Sequence, residues 1–332
     1  MRYIISLLFA SAALPAMAEV PKVVTDLPPV HALVSQVMAG VGTPELLLDK
    51  GGNAHSFQMR PSQASVLAEA DLVVWIGPEM TPWLDRALES LASGSAHLDL
   101  IHSPGTLLRQ IGETAKHGDE AGHDDHAGHA HDAEHDDHAA SDAATDHDHD
   151  HEAEHMHTGT DPHAWLDPAN AENWLGVIAA ELARLDPANA ATYLANATAA
   201  QAAVKALDAE LAATLAPVKG KTFAVYHKAY GYFTDHYGLM PALSVAASDA
   251  TAPGAAHLAE LREQVAAAGT ICLFPEAQHD PRVLEQIAAE TGARIGSPLD
   301  PEGSLIEPGP EAYALLMREL AHSLADCFAQ AE

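Results

Sequence analysis

The sequence predicts an α/β protein of two similar lobes, each a mainly parallel sheet flanked by helices, joined by one long rigid connecting helix. Apolar runs bounded by turn residues, such as Asp71-Leu-Val-Val-Trp-Ile-Gly77, alternate with amphipathic stretches on both sides of the chain's middle. A strand apolar at every position is buried on both faces, as in a parallel sheet covered by helices. Residues Pro187–Leu215 are rich in Ala, Leu, Gln and Glu and read as one helix of nearly thirty residues. At 1.5 Å per residue that is roughly 40 Å, long enough to run the length of a two-lobed protein. The chain of 332 residues is also longer than a single core commonly organises.

Residues 1–18 read as a signal peptide and are set apart from the fold. Arg2 supplies positive charge, Ile4–Leu14 is almost wholly apolar, and Ala16-Met17-Ala18 fits the small-x-small cleavage rule. The apolar run is too short to span a bilayer. No Cys follows the cleavage site, which argues against a lipid anchor there. The expected product is a soluble, exported chain beginning at Glu19, located in the periplasm.

The first lobe is expected over 19–186. Lys22–Leu27 reads as a strand, Val30–Met38 as an amphipathic helix and Glu45–Leu48 as a second strand. Pro61–Glu69 follows as a short helix, since proline in the first turn lacks only a donor that would have no partner anyway. The buried strand 71–77, a helix near Trp83–Leu91 and a short strand at His97–Leu100 complete the alternation. Asn170–Leu185 reads as a helix, and 187–216 as the connecting helix. The second lobe, 217–332, is expected to place strands at Thr222–Tyr226, Ala242–Ala246, Thr270–Phe274 and Arg294–Ser297. Its helices are expected at Ala256–Ala268, Pro281–Glu290 and Pro310–Phe328.

Residues 117–157 break this texture. The segment holds fourteen Asp or Glu, no Lys or Arg, no aromatic residue, and Met156 as its one large apolar side chain. It cannot bury enough surface to offset its ordering entropy, so it is expected to be disordered. Its twelve histidines are His117, His123, His126, His129, His131, His135, His138, His147, His149, His151, His155 and His157. Imidazole, with an ordinary pKa of about 6.5, is largely neutral near pH 7 and free to ligate zinc, while the carboxylates concentrate cations. A flexible segment must be ordered at each binding event, so these sites are expected to be individually weak. The segment reads as a secondary zinc collector or reservoir; the bland alternative is a solvated spacer.

The net charge of −31 falls only to −17 when the fourteen acids of that segment are removed. Either value argues against nucleic acid or an anionic membrane as partner and suits a cationic ligand. The only cysteines are Cys272 and Cys327. Two lone cysteines in an oxidising compartment usually pair, closing a loop worth roughly 4 kcal/mol in the chain-entropy model. Two buried free thiols is the other reading.

Ten histidines lie outside the acidic segment. His55 sits in Gly51-Gly-Asn-Ala-His-Ser-Phe57, His163 in Asp161-Pro-His-Ala-Trp-Leu-Asp-Pro168, and His227 ends the apolar run Thr222-Phe-Ala-Val-Tyr-His227. Asp300 sits in Gly296-Ser-Pro-Leu-Asp-Pro-Glu-Gly303. All four fall at or just beyond strand C-termini or in adjoining loops, the edge where open α/β sheets bind ligands. Three imidazoles and a carboxylate suit tetrahedral Zn²⁺, but the spacing is scattered and does not by itself establish a site.

Asp161-Pro-His-Ala-Trp-Leu-Asp-Pro168 resembles the DPHxWLDP signature of the metal-binding solute receptors of ABC importers, which serve zinc and manganese. Asn53-Ala-His-Ser-Phe57 and Tyr226-His-Lys-Ala-Tyr-Gly-Tyr-Phe233 are similar to two further motifs of that family. The Asp/His-rich insertion and the cysteine pair resemble its zinc-specific ZnuA-type branch. The likeness covers essentially the whole mature chain.

It implies that His55, His163 and His227 are zinc ligands and that Asp300 stands at the family's carboxylate position. The surroundings of Asp300 differ by one residue from the family pattern, and members of the zinc branch can use a water or another carboxylate instead. The Glu that precedes the first ligand in some members is here Ala54. Glu276, in Phe274-Pro-Glu-Ala-Gln278, reads as an acceptor behind the ligands or as a substitute ligand. His31 is weighed as a further approach to the cleft and read instead as a helix residue. His97, His102, His236, His257, His279 and His322 carry no motif and read as surface or helix residues.

The resemblance further implies Zn²⁺ as cargo and an inner-membrane ABC permease as partner. It also raises an accessory periplasmic zinc chaperone, and the chain is expected to be a monomer and not an enzyme. The rival readings are a manganese or iron receptor of the same family, and a zinc-dependent hydrolase, for which no HExxH or comparable motif exists.

Overall fold

Short apolar runs form two four-stranded, wholly parallel sheets. The computed structural model describes residues 19–111, 159–246, 253–269 and 271–330. The signal-peptide reading and the histidines of 117–157 therefore lie outside the described residues.

The first sheet contains β1 (Val23–Thr25), β2 (Glu45–Leu46), β3 (Leu72–Trp75) and β4 (Ala96–Asp99) in the order β2-β1-β3-β4. The second contains β5 (Phe223–His227), β6 (Leu243–Ala246), β7 (Cys272–Phe274) and β8 (Arg294–Ile295) in the order β6-β5-β7-β8. Both are doubly wound. The order reverses between β1 and β3 in one and between β5 and β7 in the other, and a crevice opens beyond the strand C-termini at such a switch.

The strand pleat explains why the apolar runs are continuous. On β3, Val73 and Trp75 face an outer cluster with Leu67 of α2 (Pro61–Ala68) and Leu84 and Leu88 of α3 (Pro82–Leu91). Leu72 and Val74 face the opposite way, into the main core. In the second sheet Ala224 and Leu273 meet Leu261 and Val265 of α7 (Ala255–Ala267) and Leu284 and Ile287 of α8 (Arg282–Thr291). Their neighbours Phe223, Val225 and Phe274 turn inward. Each sheet is thus covered on both faces.

The inward faces of both sheets share one core. It takes in α1 (Pro28–Val37), α4 (Pro168–Leu185), α5 (Ala190–Leu215) and α9 (Ala312–Ala329). α5 packs against α4 along its length, and against α1 of the first lobe and α9 of the second. Its 26 residues span about 39 Å. It begins at Ala190, three residues after the expected Pro187. The turn before it is held by Asp186, whose carboxylate accepts from Asn189 Nδ2 at 2.7 Å and Tyr193 Oη at 2.9 Å.

α4 starts at Pro168 instead of Asn170 because Asp167 caps it, accepting from the Ala169 amide at 2.9 Å. Helix α6 (Gly231–Tyr237) was not expected from the sequence. It ends at Gly238, in the left-handed region (φ 61°), where the Leu239 amide returns to the Thr234 carbonyl at 2.9 Å. The Cys272–Cys327 disulfide is formed and ties β7 to α9.

Candidate metal centre

Each of three histidines is placed by a different local device. His55 lies on the short 3-10 turn Ala54–Ser56, which Asn53 caps by accepting from the Ser56 amide at 3.1 Å. The turn is pinned from both lobes: Trp83 Nε1 donates to the Ala54 carbonyl at 2.7 Å, and the Ala54 amide donates to Glu302 Oε2 at 3.2 Å.

His163 precedes a second 3-10 turn, Ala164–Leu166. Trp165, fully buried, anchors it across the lobes by donating from Nε1 to the Pro301 carbonyl at 2.8 Å. Tyr313 of α9 donates to the Trp165 carbonyl at 3.1 Å. His227 is the last residue of β5, at the switch point of the second sheet.

The three rings converge. Ring centroids are 5.3 Å apart for His163 and His227, 5.6 Å for His55 and His163, and 6.4 Å for His55 and His227. One ring nitrogen from each lies within 4.8 Å of the other two. His163 Nε2 and His227 Nε2 are 3.4 Å apart. Two nitrogens bound to one tetrahedral zinc at 2.0–2.1 Å are separated by about 3.3–3.4 Å.

Carboxylates set the tautomers. His163 Nδ1 is 2.9 Å from Asp161 Oδ1, and His227 Nδ1 is 2.5 Å from Glu276 Oε2. A carboxylate only accepts, so each Nδ1 carries the proton and donates, and each Nε2 presents a lone pair to the centre. Glu276 Oε1 also accepts from the His227 amide at 3.2 Å and Tyr230 Oη at 3.1 Å. Asp161 accepts from Arg109 Nη1 at 3.3 Å, and Arg109 Nε donates to Asp235 of α6 at 2.8 Å. That guanidinium lies over Gly231, where an added Cβ would come within 2.3 Å of Arg109 Cζ.

Asp300 stands outside the close group of three. Its Oδ2 accepts from the Leu305 amide at 2.8 Å and Ser304 Oγ at 3.3 Å, and it lines a small cavity together with His227, Glu276 and His279. Glu276, read from the sequence as an acceptor or a substitute ligand, accepts from His227 Nδ1. His31 is buried in α1, with Nε2 3.2 Å from the Pro44 carbonyl.

Two histidines set aside for want of a motif have definite placements. His236 bridges Asp167 at 2.8 Å and Asp208 at 2.9 Å, and the bond to Asp167 holds its pKa up at about 9. His279 groups with His227 and Glu276. Its signal was present in the sequence: it follows Glu276 by three residues, directly after a buried strand.

The described residues on either side of the acidic segment meet beside this centre. Gln110 and Thr160 form an antiparallel bridge, and the Asp161 amide donates to the Arg109 carbonyl at 2.8 Å. The described residues that flank the segment, Ile111 and Gly159, therefore lie close to Asp161 and His163.

Comparison with known proteins accords with this geometry. Residues 23–327 match the family described as "ZnuA: Zinc-uptake complex component A periplasmic". The high-affinity zinc uptake system protein ZnuA of Paracoccus denitrificans is 53% identical over 317 residues, covering 96% of this chain and 94% of the relative. The protein of the same name from Brucella suis biovar 1 is 40% identical over 311 residues, covering 93% and 92%. Among solved structures, the solute-binding protein FpvC of Pseudomonas aeruginosa in complex with Mn²⁺ superposes with a TM-score of 0.73 at 20% identity, covering 94% of this chain and all of that one. At that identity the likeness speaks for the fold.

Proposed function

This chain belongs to the ZnuA family of periplasmic zinc-uptake components, and from that premise we propose that it captures Zn²⁺ in the periplasm and delivers it to an ABC permease. The observation that carries this reading is the 3.4 Å separation of His163 Nε2 and His227 Nε2, with His55 closing the triangle. Facing lone pairs at that distance repel unless an electrophile lies between them, and the carboxylates behind both rings keep those lone pairs in place. Three neutral nitrogen donors favour zinc over manganese, which prefers oxygen. Asp300 or a water takes the fourth position. A receptor must bind and release its ion unchanged, which a cage fixed by both lobes can do without a general base.

Several supporting features belong to the same reading. Residues 19–186 and 217–332 act as the two lobes and 187–216 as the rigid connector. The histidines of 117–157 act as a collector rooted next to His163, and the chain works as a monomer, with or without an accessory chaperone. Among the described residues no helix is long and apolar enough to cross a membrane. The hydrolase reading has nothing to support it, since the relatives are named for uptake.

Metal competition on chelator-stripped mature protein tests the proposal. Zn²⁺ should displace Mn²⁺ and Fe²⁺ from one tight equivalent, and His163→Ala should remove that equivalent or weaken it by orders of magnitude. Equal affinity for Mn²⁺ and Zn²⁺, or an unaffected tight equivalent in the variant, would overturn it.

A further inference from the structure

Bordering His227, and lined by neither His55 nor His163, lies a cavity of about 10 Å³ whose wall includes His227, Glu276, Gln278, His279, Asp300 and Glu302. That volume suits one water or one bare ion. The lining is rich in acceptors: three carboxylates and the oxygen of an amide. Gln278 Nε2 donates to Glu302 Oε2 at 3.2 Å, which fixes the amide and leaves Oε1 on its other side. Gln278 Oε1 and Asp300 Oδ1 are both buried and accept no hydrogen bond among the described residues. Buried acceptors are ordinarily satisfied, and two such oxygens at one small cavity call for a donor or a cation.

An imidazole completes the set. The His279 ring stacks on Tyr226, with centroids 3.9 Å apart and planes 11° from parallel. This sets His279 Nε2 3.9 Å from Glu276 Oε2. An ion about 2.0–2.2 Å from each of two donors fits between atoms so separated. One ligand atom each from His227, Glu276 and His279 lies within 4.8 Å of the others. His227 thus stands as the wall between two chambers, with Nε2 turned to the histidine trio and Nδ1 to Glu276.

We propose that this cavity is a second divalent-cation site, with Glu276 and His279 as its charged and nitrogen ligands and Gln278 Oε1 as a neutral one; where a water completes the trio, Asp300 Oδ1 is its further donor. Its donors are mostly oxygen, so it is weaker for zinc than the trio and more tolerant of manganese. Its position, one imidazole away from the trio, makes it a holding station for an ion entering or leaving the cleft. The site itself does not depend on the proposed transport function, and the experiment below separates the two.

Crystals of the full mature chain grown with excess ZnCl₂, and separately with MnCl₂, would be examined by anomalous scattering at each metal's absorption edge. Two peaks are expected with zinc, one among the three Nε2 atoms and one bonded to His279 and Glu276; manganese should favour the second. His279→Ala should abolish the second peak and keep the first, while His163→Ala should do the reverse. Gln278→Leu offers a milder substitution should His279→Ala fail to fold. A single peak at the trio, with ordered water in the cavity, would overturn the second site and leave the proposed function standing. A peak in the cavity alone would support the second site and overturn the trio.

Discussion

At the scale of single residues, the site depends on which nitrogen of each imidazole carries a proton. Asp161 and Glu276 decide this for His163 and His227, and each is itself held by two or more donors. Substituting Asp161→Asn tests the point with almost no change of volume. The side chain now receives donors from His163 Nδ1, the His163 amide and Arg109, and all three oppose an amide NH₂. If the amide turns its NH₂ toward His163, the ring must place its proton on Nε2 and the lone pair leaves the centre. Zinc affinity should fall 10–100-fold, the usual scale for loss of such an outer partner, while the circular dichroism spectrum stays that of the parent. Affinity within twofold of the parent in a competition assay would show that Asp161 does not set the tautomer.

The trio was legible in the sequence because His163 and His227 sit in long, specific strings. His279 carried only its spacing from Glu276, because the rest of its meaning comes from Tyr226 and His227, which only the fold brings to it. Asp300 was legible as a cleft residue, but its engagement with Leu305 and Ser304 was not.

At the scale of elements, most of the alternation could be read because apolar runs buried on both faces leave a plain pattern. Helix α6 escaped because seven residues with three aromatics and no apolar periodicity look like a loop. Yet α6 joins the lobes near the site: Tyr232 donates to the Asp161 carbonyl, Asp235 holds Arg109, and His236 bridges Asp167, the cap of α4, and Asp208 of α5. That last bridge predicts a pH dependence. Hydrogen bonds that the ring donates to Asp167 and Asp208 raise His236 to about 9, above the ordinary imidazole value of about 6.5. A pKa raised in the folded state means stabilisation that is fully present below about pH 6.5 and lost as pH rises through about 9. The ring is partly open to solvent, so the effect is modest, on the order of 1 kcal/mol. The melting temperature of metal-free protein should therefore decline between pH 6.5 and 9 by a few degrees more in the parent than in His236→Gln. Parallel curves for the two proteins would remove His236 from the account.

At the scale of the whole molecule, two lobes were legible but their single shared core was not. That core depends on α1, α5 and α9 meeting across long sequence separations, and no local pattern reports such contacts. Its consequence is stiffness: Trp165 bonds to Pro301, Ala54 to Glu302, and the Cys272–Cys327 bridge fastens α9 to the second sheet. A centre held this way should be preformed, in contrast to the expectation for the histidines of 117–157. Removing 117–157 tests the contrast. The Gln110–Thr160 bridge and the bond from the Ile111 amide to the Gly159 carbonyl at 2.8 Å keep the two ends adjacent, so a short Gly-Ser link can close the gap. The deletion changes net charge by fourteen units, so zinc capture should slow at low ionic strength and differ little from the parent near 1 M salt, where the Debye length is about 3 Å. Titration calorimetry should show several weak zinc equivalents lost and the tight one unchanged, because His55, His163 and His227 all lie outside the deleted stretch. Identical stoichiometry before and after deletion would make the acidic segment a spacer. Loss of the tight equivalent along with the weak ones would place the principal ligands in the segment and not in the cleft.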